Sequence, residues 1–246
     1  MKIYDENCRN FREVWEYYRG IRPNNLATPP YRHVLLLIFW IVFGTLFYLL
    51  ELVIPMDFHA VSSSLDAAIP FCEYFMPAYL YWFPFLIGTL AYTLLFNIEA
   101  FKREMYFIMI TYTVTLIFYF IYPTKQELRP LTFERENFLV EIVRRFYAFD
   151  TNTNVCPSLH VLGSFAAGFA GIQSRRFANW WGRLLMMGSA VLVSASVVFV
   201  KQHSIVDVIA ALPVVLIGYI IVYYIPYRRE KKRQALSSEH EEALTR

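Results

Sequence analysis

The chain carries one block after another of apolar residues long enough to cross a bilayer, and this limits its fold more than any other feature. A soluble chain of 246 residues would form one or two domains, but here 57% of residues are hydrophobic and 18% aromatic. The blocks predict an all-α membrane protein with six transmembrane helices in one bundle. The spans run about His33–Ile54, Pro77–Phe96, Met105–Tyr122, Ser158–Ile172, Leu184–Val200 and Ile205–Ile225. Residues 1–32 form an N-terminal segment, 33–226 the six-span domain, and 227–246 a charged tail expected to fray beyond Leu236. Asn97–Glu104 reads as a short loop between the second and third spans, and Pro123–Pro157 is the longest polar connection.

Charge orients the bundle. The net charge of +3 says little, but 17 of the 23 Lys and Arg residues fall on the side that holds both termini, which predicts cytoplasmic termini. The N-terminal segment mixes basic and acidic residues before any apolar run, which is not the pattern of a cleavable signal peptide. Phe11, Val14, Trp15 and Tyr18 recur at helical spacing and predict a short interfacial helix. Phe138, Val140, Ile142, Val143 and Phe146 predict a second amphipathic helix within the long connection. Cys8, Cys72 and Cys156 have neither C-x-x-C spacing nor a His/Cys cluster around them. Unpaired thiols are therefore expected, although Cys72 and Cys156 could meet, and no zinc site is expected.

Three polar clusters fall at non-cytoplasmic ends of spans, on the side otherwise poor in cations. Lys125 and Arg129 follow the third span, Cys156-Pro-Ser158-Leu-His160 opens the fourth, and Lys201-Gln-His203-Ser-Ile-Val-Asp207 joins the fifth to the sixth. Pro157 suits the first position of a helix, which would leave the N–H groups of Ser158, Leu159 and His160 free as an anion site. His203 and Asp207 stand four apart, so a helix opening near Gln202 would stack them on one face. The deep carboxylate would take the imidazole Nδ1–H and leave Nε2 as a nucleophile. His160 would protonate a leaving oxygen, while Lys125, Arg129, Ser158 and Lys201 would hold phosphoryl oxygens. Each residue has a plainer reading: an interfacial histidine, an Asp207 that serves its helix start, a snorkelling Lys201. Their convergence on one face favours a site.

These residues resemble the type-2 phosphatidate phosphatase superfamily, whose signatures are K-x6-R-P, P-S-x-H and S-R-x5-H-x3-D. The second is complete in Pro157, Ser158 and His160. The third is met by His203 and Asp207 but has Val197 at its arginine position, and the first is met by Arg129 and Pro130 but has Tyr122 at its lysine position. The wording around His160 and His203 is similar to the sphingomyelin synthase and inositol phosphorylceramide synthase branch. The resemblance implies a phosphohistidine at His203, Asp207 as its partner, His160 as general acid, and no metal or other cofactor. Lys125 and Lys201 would replace the two missing cations. The implied partners are the bilayer and a lipid phosphate or phospholipid substrate, with no nucleic acid; homo-oligomerisation and the choice between phosphatase and headgroup transferase stay open. The alternative is a non-catalytic membrane protein that binds or transports lipid.

Overall fold

A computed structural model describes residues 10–53 and 57–244, with side chains described as far as residue 237. Ile54, the expected end of the first span, and Cys8 lie outside the described residues. The chain folds into helices α1 (Phe11–Tyr18), α2 (Ile38–Val53), α3 (Ser64–Ala68), α4 (Met76–Leu80), α5 (Trp82–Phe96), α6 (Ile98–Ile121), α7 (Phe138–Phe149), α8 (Leu159–Gln173), α9 (Trp180–Phe199), α10 (Ile205–Tyr219) and α11 (Ile225–Leu244). Two strands of two residues each, β1 (His59–Ala60) and β2 (Thr124–Lys125), pair in parallel.

Among the described residues, five helical stretches are long and apolar enough to cross a membrane: Arg32–Leu52, Glu73–Phe96, Ile98–Ile121, Trp180–Phe199 and Ile205–Ser237. Side chains such as Ile41, Leu52, Ile87 and Ile121 stand out from them, each more than 60% exposed, a surface suited to lipid rather than water. The expected fourth span is the 15-residue helix α8, which falls short of that length. At 1.5 Å per residue it extends about 22 Å, against about 30 Å for a hydrocarbon core.

Helix α8 is nevertheless the centre of the packing, touching α5, α6, α9 and α10. Its buried face is built from Gly163, Ser164, Ala166, Ala167, Gly168, Ala170 and Gly171, and small residues let neighbouring backbones approach. A Cβ on Gly163 would lie 2.6 Å from the Tyr112 hydroxyl and 3.1 Å from Trp82 Nε1. Phe101, Met105, Phe107 and Ile108 of α6 are fully buried against this group.

The expected loop Asn97–Glu104 is instead almost wholly helical. Asn97 caps α6 by accepting from the Ala100 N–H at 2.9 Å, and the helix runs from Ile98. Charged residues are tolerated there because they find partners on other helices. Glu104, with no exposure, accepts from Thr89 Oγ1 at 2.8 Å and Thr93 Oγ1 at 2.9 Å on α5, and Arg103 donates to Gln173 of α8 at 2.8 Å. The tail also departs from expectation: its backbone stays helical to Leu244, joined to α10 through a π-turn at Ile220–Tyr224. Both expected amphipathic helices form. α1 buries Val14 and exposes Phe11 and Trp15, while α7 buries Val140 and Val143 and exposes Phe138.

The glycine packing predicts a contrast. Gly163→Val should destabilise the protein by about 1–3 kcal/mol through overpacking against Tyr112 and Trp82. Gly44→Ala and Gly188→Ala, which face open space, should be neutral or stabilising by up to about 1 kcal/mol. Thermal unfolding of the three variants in one detergent checks this ordering.

Candidate active site

The site assembles where the segment before α8 meets the segment before α10. Two tyrosines of α6 hold the first of these: the Tyr119 hydroxyl donates to the Pro157 carbonyl at 2.5 Å, and that of Tyr112 to the Leu159 carbonyl at 3.2 Å. Thr124 Oγ1 accepts from the N–H groups of both Val155 and Cys156 at 3.1 Å. Glu51, at the end of α2, accepts from Thr153 Oγ1 and Asn154 Nδ2, each at 2.6 Å. Asn154 itself has φ 49°, a left-handed conformation that asparagine tolerates better than most residues.

The second segment is shaped by a capping box. Ser204 is the N-cap of α10, and Asp207 at the third helical position returns its Oδ2 to the Ser204 N–H at 2.9 Å. His203 therefore precedes the helix instead of standing on it, which corrects the expectation of a helix opening near Gln202. Its Nδ1 still lies 3.1 Å from Asp207 Oδ2, because the box folds the carboxylate back over the turn. Asp66, another acid in a capping box, secures this turn from the side. It accepts from Ser204 Oγ at 2.6 Å and from the Ile205 N–H at 2.8 Å.

The two histidines meet. His160 Nδ1 lies 3.1 Å from His203 Nε2, and the His160 ring packs against Trp82 and Tyr79 with centroids 4.6 and 5.0 Å apart. A carboxylate can only accept, so the proton between His203 and Asp207 sits on Nδ1 and Nε2 holds a lone pair. His160 Nδ1 is then the donor of the second bond. Asp207, His203 and His160 form a chain of two hydrogen bonds that ends on an acid–base group. Nitrogens 3.1 Å apart leave no room for another heavy atom between them.

Several expectations for the P-S-x-H stretch change. Pro157 is not the first helical residue. Ser158 is the N-cap, its N–H is not free but donates to the Asp207 carbonyl at 3.2 Å, and its hydroxyl caps nothing. That contact ties the two motif segments together through backbone. The Ser158 hydroxyl is buried and has no partner among the described residues. Cys156 and Cys72 are both free thiols, and burial, with Asp207 beside it, pushes the Cys156 thiol up to about 12.

The cations divide sharply. Arg129 lies in the site wall, where its Nη1 donates to the carbonyls of Tyr147 and Asp150 at 3.1 and 2.9 Å. Its Nη2 donates to the Thr151 carbonyl at 2.8 Å and to Gln202 Oε1 at 2.6 Å. The guanidinium also stacks 4.7 Å over the Tyr147 ring, and burial lowers its pKa against the opposing pull of Asp150. Lys201 does not face a phosphate. With φ 50° and 7% exposure, it points its ammonium at the carbonyls of Asp66 and Ile69, at 2.9 and 2.5 Å. Lys125 is ion-paired to Glu127 at 2.6 Å, and Tyr122 stacks on His59 with ring centroids 4.0 Å apart. The expected replacement of the missing basic positions by these two lysines is therefore not what the fold provides. Each lysine has nearer oxygens to serve.

Glu51, Asp66, Tyr112, Tyr119, Tyr147 and Gln202 escaped sequence reasoning. The polar residue at the end of an apolar run (Glu51) and the S-x-x-D box around Asp66 were readable signals; the tyrosines in apolar helices gave none. Among the described residues, no group of three or more His, Cys, Asp or Glu side chains is placed to hold a metal ion. No protein-family profile, curated protein or solved structure matches this chain.

Lys201 gives a test of the corrected assignment. Lys201→Met should leave two buried carbonyls unpaired and destabilise the protein by about 1–3 kcal/mol. It should change phosphate affinity less than threefold once corrected for unfolded protein. A large affinity loss at unchanged melting temperature would restore Lys201 to the phosphate site.

Proposed function

We propose that this protein is an integral-membrane phosphoesterase that acts on a lipid phosphate or phospholipid headgroup through a phosphohistidine at His203. In this reading the chain makes six crossings, the five long stretches and the shorter α8, with both termini cytoplasmic and the site at the non-cytoplasmic mouth. The charge asymmetry of the connections supports the orientation. Because α8 is short, its N-terminus would sit below the interface, where the phosphate of a lipid can reach it while the acyl chains stay in the bilayer.

One observation carries the proposal: the relay of Asp207 Oδ2, His203 and His160 Nδ1, with both contacts at 3.1 Å. A surface histidine needs no such chain. A nucleophile does, since Asp207 fixes the tautomer and orientation that expose Nε2. The reaction then runs in two steps. His203 Nε2 forms a bond to phosphorus as the P–O bond to the leaving group breaks, and the departing oxygen takes a proton from His160, which enters this step as imidazolium and leaves it as neutral imidazole. In the second step His160 draws a proton from water or from an acceptor alcohol, whose oxygen attacks phosphorus and releases His203 as the P–N bond breaks. Arg129 and the first turn of α8 offset the charge that builds on the phosphoryl oxygens.

The resemblance of the three motifs to the type-2 phosphatidate phosphatase superfamily supports the same reading. Among the described residues no free lysine or arginine joins Arg129 at the site, which sets it apart from the full signature of strict lipid phosphate phosphatases.

The test is chemical trapping. Rapid denaturation during turnover of labelled lipid phosphate or phospholipid should recover acid-labile, base-stable phosphate on His203. His203→Ala should lower turnover by at least ~10³-fold with unchanged thermal stability. Equal turnover by the variant would remove the nucleophile, and a protein that binds phospholipid without ever turning it over would be a lipid-binding or transport protein instead. Adding diacylglycerol or ceramide to the same assay separates phosphate release from headgroup transfer.

A further inference from the structure

With Lys125 and Lys201 otherwise engaged, the surroundings of the histidines contain, among the described residues, the Arg129 guanidinium, the acids Asp150 and Asp207, and a set of neutral groups. One of these is Gln202, next to His203 in the chain and only 3% exposed. Its backbone N–H donates to the Val197 carbonyl at 2.9 Å, so its main chain meets that of the position where the superfamily signature places arginine and this chain has valine. Its side-chain oxygen accepts from Arg129 Nη2 at 2.6 Å. That contact settles which end of the amide is which: the oxygen is held by the guanidinium, so the NH2 group is the end left to donate.

The NH2 group has no acceptor in the protein among the described residues. Arg129 Nε, the Ser158 hydroxyl and Nε1 of Trp82, which packs against His160, share this condition, as do the hydroxyls of Thr115, Ser174 and Tyr223 elsewhere in the bundle. Buried donors without acceptors are rare in folded proteins and call for an explanation, and here four of them belong to residues of one site. The remaining Arg129 donors are all used on protein oxygens, so the guanidinium alone offers little hydrogen bonding to a guest.

From this geometry we propose that the Gln202 carboxamide donates to a phosphoryl oxygen of the substrate, taking over at this site the contact that a second cation would otherwise supply. The proposal rests on the phosphoesterase reading for its substrate but concerns binding of the tetrahedral oxyanion itself. Arg129 orients the amide through its oxygen, and the amide extends the cradle through its nitrogen with a dipole in place of a full charge. An amide also fits the surroundings, since Asp150 and Asp207 already lie nearby and a further buried cation would pair with them.

A glutamate separates this role from a purely structural one. Gln202→Glu keeps the shape and strengthens the contact to Arg129, but replaces the donating NH2 with a second anionic oxygen. Equilibrium binding of inorganic phosphate to the full chain in detergent micelles should weaken at least 30-fold, and kcat/KM for the lipid substrate should fall in parallel, with the melting temperature held or raised. Phosphate affinity within threefold of the original protein would show that Gln202 only steadies Arg129 and would overturn the proposal. So would an original protein that binds no phosphate at millimolar concentration. If the glutamate variant does not fold, Gln202→Met decides: a loss of fivefold or more supports the donor role, and unchanged affinity overturns it. The outcomes are separable from those for the nucleophile. Phosphate binding that depends on Gln202 without phosphohistidine formation would sink the catalytic reading alone, and phosphohistidine formation with phosphate binding indifferent to Gln202 would sink this one alone.

Discussion

A buried carboxylate in an apolar bundle must be surrounded by donors, and Asp207 organises the site through that requirement. With no exposure to solvent, its Oδ2 accepts from the Ser204 N–H and from His203 Nδ1, while its own backbone carbonyl accepts from the Ser158 N–H. One residue thus starts α10, fixes the tautomer of His203 and joins the segment before α10 to the segment before α8. The same atoms that satisfy a structural demand leave His203 Nε2 turned toward His160. Helix capping and the orientation of the His203 imidazole are here a single piece of local chemistry.

Around this point the fold supplies support through polar groups that reach across long stretches of sequence. Asp66 braces Ser204, Glu51 braces the turn at Asn154, Tyr112 and Tyr119 hold the start of α8, and Tyr147 donates to the Val200 carbonyl at 2.7 Å. Each removes a backbone or hydroxyl group from the list of unsatisfied polar atoms in a low-dielectric interior, where such groups cost most. The small residues of α8 make this possible by letting α5, α6 and α9 close in until these side chains reach their targets.

The distribution of cations shows the same principle from the other side. Lys201 and Lys125 stand in sequence where a phosphate-binding reading places them, yet one ammonium turns to two carbonyls and the other to Glu127. Arg129 is anchored by four hydrogen bonds of its own. Charge in the neighbourhood of a site is therefore a poor guide to charge within it: a lysine on a flexible stem takes the nearest good acceptors, and the fold decides what those are.

Much was legible beforehand because it depends on local or compositional physics. Apolar blocks mark helices able to cross a membrane, periodicity marks α1 and α7, and the spacing of His203 and Asp207 brings imidazole and carboxylate together whether or not both lie on the helix. Asn97 hid a helix start because charged residues after it suggested a loop, and only Thr89 and Thr93 on a neighbouring helix explain how Glu104 can be helical and buried. What the order of residues determined by itself was therefore the helical class, the two motif segments and the pairing of His203 with Asp207. Tertiary structure alone decided that the two imidazoles touch, that both lysines are bonded to other oxygens of the protein, and that the Gln202 amide nitrogen is buried with no acceptor among the described residues. The reason is one of range: capping and periodicity act over a few residues, whereas a side chain chooses its partner from whatever the packed helices bring within about 3 Å.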